Sequence, residues 1–162
     1  MASRVPEELS AVEREVIAEI RALRASKENV VHLGLLNDPA RLLHHFILAH
    51  HGHVALRVEP VARQLGVEMK TMQRNFVSAY KTTPRQCQLD VRLAFAKLLL
   101  STFPPTKISA IALMLGYKEV RDFNRFFRKH THQRPSEWGR NERDRIERAV
   151  GNTAIDGKTP GS

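Results

Sequence analysis

The chain has 162 residues, 42% of them hydrophobic, enough for one domain or two very small ones with a core of their own. Its formal net charge is +9 and it holds a single cysteine, Cys87, which excludes an internal disulfide and any multi-cysteine zinc site. No apolar run approaches the roughly 20 residues of a membrane span, and the N-terminus lacks the hydrophobic stretch of a signal peptide, so no membrane association and a cytoplasmic location are expected.

The charge is unevenly spread. Residues 39–140 carry 17 Lys and Arg against 6 Asp and Glu, residues 1–38 carry 5 against 7, and residues 141–162 balance at 4 against 4. The positive field therefore belongs to the middle of the chain. A basic surface of that kind points to a polyanionic partner more than to solubility alone.

Taken in order, residues 1–25 read as one helix. Pro6 and Glu7-Glu8 suit a first turn, and Leu9, Val12, Val16, Ile20 and Leu23 form a narrow apolar seam. The seam can pack on the domain behind it, which is the favoured reading, or pair with a second copy of itself. Lys27 to Asn37 reads as a connector. Asp38 can cap a helix from Pro39 to about His50, with Leu42, Leu43, Phe46 and Ile47 inward. His44, His45, His50, His51 and His53 crowd this region, yet no carboxylate or Cys stands beside them and adjacent histidines face different ways on a helix. No metal is therefore expected. Val58 to Leu65 is a short helix with Pro60 in its first turn, Gly66 a tight turn, and Met69 to Tyr80 an amphipathic helix. Pro84 opens a long helix to about Ser101, with Leu89, Leu93, Ala96, Leu99 and Leu100 apolar, and Phe103-Pro104-Pro105 ends it. Ile108 to Leu115, Gly116 and Val120 to His130 repeat the short helix, turn and amphipathic helix, and Pro135 opens a last short helix carrying Trp138. The tail begins as a charged helical extension from Asn141 and finishes in a Gly, Thr, Asp, Pro and Ser stretch too polar to order itself. With no alternating β-pattern of useful length, the fold is expected to be all-α: two helix-turn-helix subdomains joined by a long linker helix, with an extra N-terminal helix.

The repeat concentrates the chemistry. On the helix at 69–80, Met69, Met72, Phe76, Ala79 and Tyr80 fall on one side, and Lys70, Gln73, Arg74 and Lys81 on the other, with Val77 between. On the helix at 120–130, Val120, Phe123 and Phe127 are the apolar positions; Arg121, Asn124, Arg125, Arg128 and His132 face outward. Lys70, Gln73 and Arg74 match Arg121, Asn124 and Arg125 at an offset of 51 residues, and Val61-Ala62 and Leu65-Gly66 match Ile111-Ala112 and Leu115-Gly116 at 50. Gln can pair bidentately with adenine in the major groove and Arg with guanine. One such face could be ordinary solvated surface. Core residues would recur in any duplication, but packing does not require the outward amide–guanidinium pair to recur.

Residues 40–140 resemble the DNA-binding domain of the AraC/XylS family of bacterial transcription regulators. VARQLGVEMKTMQRNF is similar to the family's first helix-turn-helix. Pro84, Arg92-Leu93, Ala96 and Leu99-Leu100 are similar to its linker helix, and ISAIALMLGYKEVRDFNRFFRKHTHQRP to its second helix-turn-helix. The resemblance implies seven helices in two subdomains, with two outer helices entering successive major-groove segments of double-stranded DNA. By position, Lys70, Gln73 and Arg74 would read bases from the first and Arg121, Asn124 and Arg125 from the second, with Arg125 alternatively holding a phosphate or an internal partner. Lys81, Arg85, Lys107, Arg128, Lys129 and Arg134 are the candidates for phosphate contacts. The expected boundaries are 1–37 for the N-terminal helix and connector, 38–140 for the DNA-binding domain and 141–162 for the extension and disordered tail. Within the domain, the first helix-turn-helix spans about 58–81, the linker helix about 84–101 and the second helix-turn-helix about 108–132.

Some positions depart from the family pattern. Glu68 and Glu119 stand where a small capping residue is usual, Lys81 and His132 replace the Gly that commonly follows each outer helix, and Thr131 replaces an aromatic. With 38 residues before the domain, the chain resembles the short members without a sensor domain. The expected function is a sequence-specific transcription regulator, acting as a monomer that touches RNA polymerase, with no cofactor. The alternative is a protein-binding module that keeps the fold, with dimerisation through the N-terminal seam. An enzyme is not expected: no HExxH, nucleophile elbow or phosphate-binding loop occurs.

Overall fold

A computed structural model describes residues 8–26 and 34–156, with side chains described through residue 153. Among the described residues the chain is helical and contains no strand. The helices are α1 (Ala11–Ala25), α2 (Pro39–Ala49), α3 (Val58–Gln64), α4 (Met69–Tyr80), α5 (Pro84–Leu100), α6 (Ile108–Met114), α7 (Val120–Thr131) and α8 (Pro135–Asp156). They divide between two compact units, Met1–Arg92 and Leu93–Ser162.

In the first unit, α1 starts later than the sequence suggests. Ser10 is its N-cap and forms a capping box with Glu13: the Glu13 amide donates to Ser10 Oγ (3.2 Å) and the Ser10 amide to Glu13 Oε1 (2.9 Å). This reciprocal bonding satisfies two amide donors and makes Ser10 a stronger start than Pro6. Glu8 lies before the helix; Pro6 and Glu7, like residues 27–33 of the expected connector at 27–37, fall outside the described residues, and residues 34–36 of that connector are helical. The apolar face of α1 is also wider than a seam, because Ile17 is buried beside Val12, Val16 and Ile20. Val12, Val16 and Ile20 join Leu42, Leu43, Phe46 and Ile47 of α2, Val61 and Ala62 of α3, Met72 and Phe76 of α4 and Cys87 of α5 in one core. Asp38 caps α2 by accepting from the Arg41 amide (3.2 Å). Burial pushes the Cys87 thiol pKa up, aided by Asp90, as for a small apolar residue rather than a reactive thiolate.

The N-terminal half of α5 is fastened to this unit by a close backbone approach. Gly52, at φ +67°, sits where a Cβ would come 2.3 Å from the Gln88 carbonyl oxygen. Arg92 Nε donates to the Gly52 carbonyl (2.7 Å) and Gln88 Nε2 to the Leu56 carbonyl (2.6 Å).

The second unit is built on Ala96, Leu100, Ile111, Ala112, Leu115, Phe123 and Phe127, with Leu93, Leu99, Tyr117, Phe126 and Trp138 against them. Its last helix is not short. α8 continues unbroken through Gly151 to Asp156, so residues 151–156 are helical rather than part of an unstructured tail; residues 157–162 lie outside the described residues. Helical spacing explains the extension: Arg145 pairs with Glu142 one turn back, and Thr153 Oγ1 donates to the Ala149 carbonyl (2.8 Å).

The internal repeat is carried into the backbone. α3 and α6 have 7 residues each, and α4 and α7 have 12 each. Both short helices end the same way. Gly66 (φ +72°) and Gly116 (φ +87°) donate to the Arg63 and Leu113 carbonyls, and Val67 and Tyr117 donate to the Ala62 and Ala112 carbonyls at 2.9 Å. This is a Schellman closure, and the left-handed residue it needs is why a glycine stands there in both copies.

Candidate nucleic-acid interface

α4 is positioned by what it buries. Met72 and Phe76 are fully inside, Phe76 and Tyr80 contact each other, and His44 of α2 stacks on Tyr80 with ring centroids 4.0 Å apart. Burial, with a smaller contribution from His45, holds the His44 pKa below its ordinary value, so the stacked ring is neutral near pH 7. Two residues read as inward are not: Ala79 of α4 is exposed, and Val120 of α7 is 38% exposed. Each lies at the margin of its apolar arc, where a narrow helix-on-core contact leaves a small side chain in solvent.

The opposite face of α4 is open. Lys70, Gln73 and Arg74 are exposed, and among the described residues they make no internal hydrogen bond or ion pair. They line one concavity of about 950 Å³ with Arg57, Arg85 and Leu89. Lys81 lies outside it; it is exposed, and its Nζ donates to the Ser78 carbonyl (3.0 Å).

In the second unit, Phe123 and Phe127 are buried and α7 turns Arg121, Asn124, Arg125, Arg128 and Lys129 into solvent. Arg121, Asn124, Arg125, Arg128 and Arg134 line a concavity of about 520 Å³ together with Ile108, Pro135 and Ser136. No carboxylate lines it, and Arg125 has no internal partner among the described residues. Lys107 and Lys129 are exposed outside this hollow. Each unit thus gathers amide and several guanidinium or ammonium groups on one face, the first hollow also being lined by the Glu59 carboxylate. Such groups suit the hydrogen-bond acceptors of base edges and the charge of phosphates.

The departures at the helix ends have visible consequences. Glu68 and Glu119 occupy the N-caps of α4 and α7 without any side-chain capping bond. Lys81 and His132 take the left-handed conformation (φ +59° and +62°) that favours glycine. Thr131 supplies polar closure where an aromatic is usual: its Oγ1 lies 2.9 Å from the Phe127 carbonyl and accepts from the Gln133 amide (3.3 Å).

The histidines serve packing and turns. His53 Nδ1 accepts from the Ala55 amide (3.0 Å), His51 adopts a left-handed turn and His50 caps α2. Among the described residues no three His, Cys, Asp or Glu side chains gather closely enough to hold a metal, and no helix is long and apolar enough to cross a membrane. Arg57 and Arg92 also line the concavity of the first unit, and neither was read as a site residue from the sequence. Neither lies on an amphipathic outer face; Arg57 could have been found as the residue of the first repeat that stands 50 positions before Lys107.

Residues 61–141 match the family described as "Helix-turn-helix domain". Among curated protein sequences none matches significantly. Several solved structures are similar. The C-terminal domain of AraT, a response regulator from Geobacillus stearothermophilus, aligns at 23% identity over 64% of this chain and 84% of that one (TM-score 0.57). The DNA-binding domain of AdpA, a global transcriptional factor solved with a target DNA, aligns at 23% over 67% and 96% (TM-score 0.58). A probable AraC family transcriptional regulator from Rhodopseudomonas palustris aligns at 25% over 65% and 97% (TM-score 0.50). With the matched helix-turn-helix region covering both repeats and the helix between them, the chain belongs to the AraC-type helix-turn-helix family of DNA-binding transcription regulators.

Proposed function

We propose that this protein binds double-stranded DNA sequence-specifically, with α4 and α7 as reading helices in adjacent major-groove segments, and regulates transcription in the cytoplasm. One observation carries the reading. Two helices of equal length and equal capping present Gln73-Arg74 and Asn124-Arg125 at matching positions, exposed and without internal partners. In this reading the amides pair with adenine and the guanidiniums with guanine, while Lys70 and Arg121 widen each footprint. Lys81, Arg85, Lys107, Arg128, Lys129 and Arg134 hold phosphates and set the register.

Two reading helices on one chain make a monomer sufficient, and the outer surface left over would meet RNA polymerase. The apolar residues of α1 support the monomer, because Val12, Val16, Ile17 and Ile20 are already spent in the chain's own core. The AdpA domain was solved with a target DNA, which makes a duplex the natural first ligand to try.

The test is selection of bound sites from a random duplex pool, followed by titrations over a salt series. A recurring site is expected. Gln73→Ala and Arg74→Ala should each lose about 1–3 kcal/mol on that site and much less on random duplex. Equal affinity for every duplex, or affinity indifferent to salt, would sink the proposal.

A further inference from the structure

Resting on the DNA-binding reading, we propose that Arg57 is a further phosphate contact of the first reading unit, and that Glu13 of α1 is the residue that positions it. The N-terminal helix is then part of the binding apparatus rather than an appendage.

The first support is the internal repeat. Arg57 is the N-cap residue of α3 and Lys107 is the N-cap residue of α6. Both are extended (φ −89°, ψ 145° and φ −60°, ψ 137°), and neither makes a side-chain capping bond. The two copies therefore place a cation, where Ser, Thr, Asp or Asn would cap best, at the same point of the same motif. The cap is sacrificed twice, which local helix stability does not explain.

The second support is location. Arg57 lines the same concavity as Lys70, Gln73, Arg74 and Arg85, so the residue borders the face that would meet DNA.

The third support is how it is held. Arg57 Nε donates to Glu13 Oε2 (3.0 Å), Nη2 to Oε1 (3.0 Å) and the backbone amide to Oε2 (3.1 Å). The capping-box amide of Ser10 gives the carboxylate a further donor, and Ser10 Oγ ties α1 to the Ala55 carbonyl (2.8 Å). Glu13 is fully buried whereas the Arg57 side chain is 34% exposed. The anion is hidden and the cation stands at the rim. A buried pair of this kind is a poor route to stability, since apolar residues of the same shape would serve as well. What it does supply is a guanidinium held in one orientation at the rim, its Nε and Nη2 edge on Glu13 and Nη2 also 3.4 Å from the Glu8 carbonyl. Because the pair is nearly neutral, Arg57 acts by short-range geometry, not by drawing DNA from a distance.

The experiment uses the full chain and a duplex recovered from the selection above. Arg57→Gln removes the cation. Glu13→Gln combined with Arg57→Gln removes both charges, leaving two amides able to bond each other and no buried unpaired carboxylate, so it keeps the test alive if the single variant unfolds. Lys107→Gln is the internal comparator. If Arg57 holds a phosphate, the folded Arg57 variants lose about 3–10-fold in affinity on selected and random duplexes alike, as Lys107→Gln does, while the double variant, which leaves the net charge unaltered, changes the salt slope little. Arg57→Lys keeps the slope with weaker binding. Unchanged affinity in the double variant, with Lys107→Gln still lowering it, overturns the proposal and leaves DNA binding standing. A wild-type chain that binds no duplex overturns both.

Discussion

Lys81 and His132 concentrate backbone strain at the ends of α4 and α7. Each ends its helix in the left-handed region, where a residue with a Cβ pays about 1–2 kcal/mol relative to its favoured conformations. Replacing either with glycine should raise stability by about 0.5–1 kcal/mol in chemical denaturation, the relief being partly offset by the greater freedom of unfolded glycine. The two should then diverge. Lys81→Gly should also weaken binding to every duplex, since it removes a proposed phosphate contact, whereas His132→Gly should leave affinity nearly unchanged. His44 offers a residue-scale test by pH. Its folded pKa is lowered by burial and then by His45, so the unfolded chain binds the proton more readily. The stability this contributes is present above the ordinary histidine pKa and is lost as the pH falls through the folded value. His53 is lowered too, first by burial and then by His50, and has the same sign. Melting of the first unit should therefore drop as the pH falls below the ordinary histidine pKa of 6.5, and His44→Phe, which keeps a ring against Tyr80, should shrink that drop.

Among the elements, α8 gives opposite answers to one substitution at two of its glycines. A Cβ on Gly139 would meet Arg143 Nη1 at 3.0 Å and the Leu100 carbonyl oxygen at 3.1 Å. Gly139→Ala should destabilise the second unit by about 1–3 kcal/mol through overpacking. Gly151 has nothing within 4 Å. Gly151→Ala should instead strengthen the helix by up to about 1 kcal/mol, seen as added helical signal in circular dichroism. α1 makes a related point. Its start was misplaced in the sequence because Pro6 and two acids imitate a first turn, while the residue that sets it, Ser10, does so jointly with Glu13 and Ala55. One of those partners is 45 residues away, beyond the reach of any local pattern.

For the whole molecule, the division into two units means two cores. Phe76 anchors the first and Phe123 with Phe127 the second, and α5 contributes Cys87 to one and Ala96 with Leu100 to the other. Trp138, the single tryptophan, lies against Phe127 with ring centroids 5.8 Å apart, so its fluorescence reports the second unit. Phe76→Ala should cost the first unit about 3–5 kcal/mol. The helical signal should then melt earlier than the tryptophan signal; coincident shifts would show that the shared helix couples the cores into one cooperative transition.

Much of this protein was determined by its residues alone. Apolar spacing on the 69–80 and 120–130 stretches, a glycine after each short helix, prolines at 84 and 135 and a repeated amide–guanidinium pair specify an all-helical chain with a duplicated helix-turn-helix. These are signals of one or two helical turns, which local geometry is enough to express. Tertiary structure alone decided how wide the buried face of α1 is, that Ala79 and Val120 are exposed, and that Glu13 reaches Arg57. Burial and ion pairing depend on which surfaces meet, and such meetings join residues tens of positions apart whose spacing leaves no periodic trace in the chain.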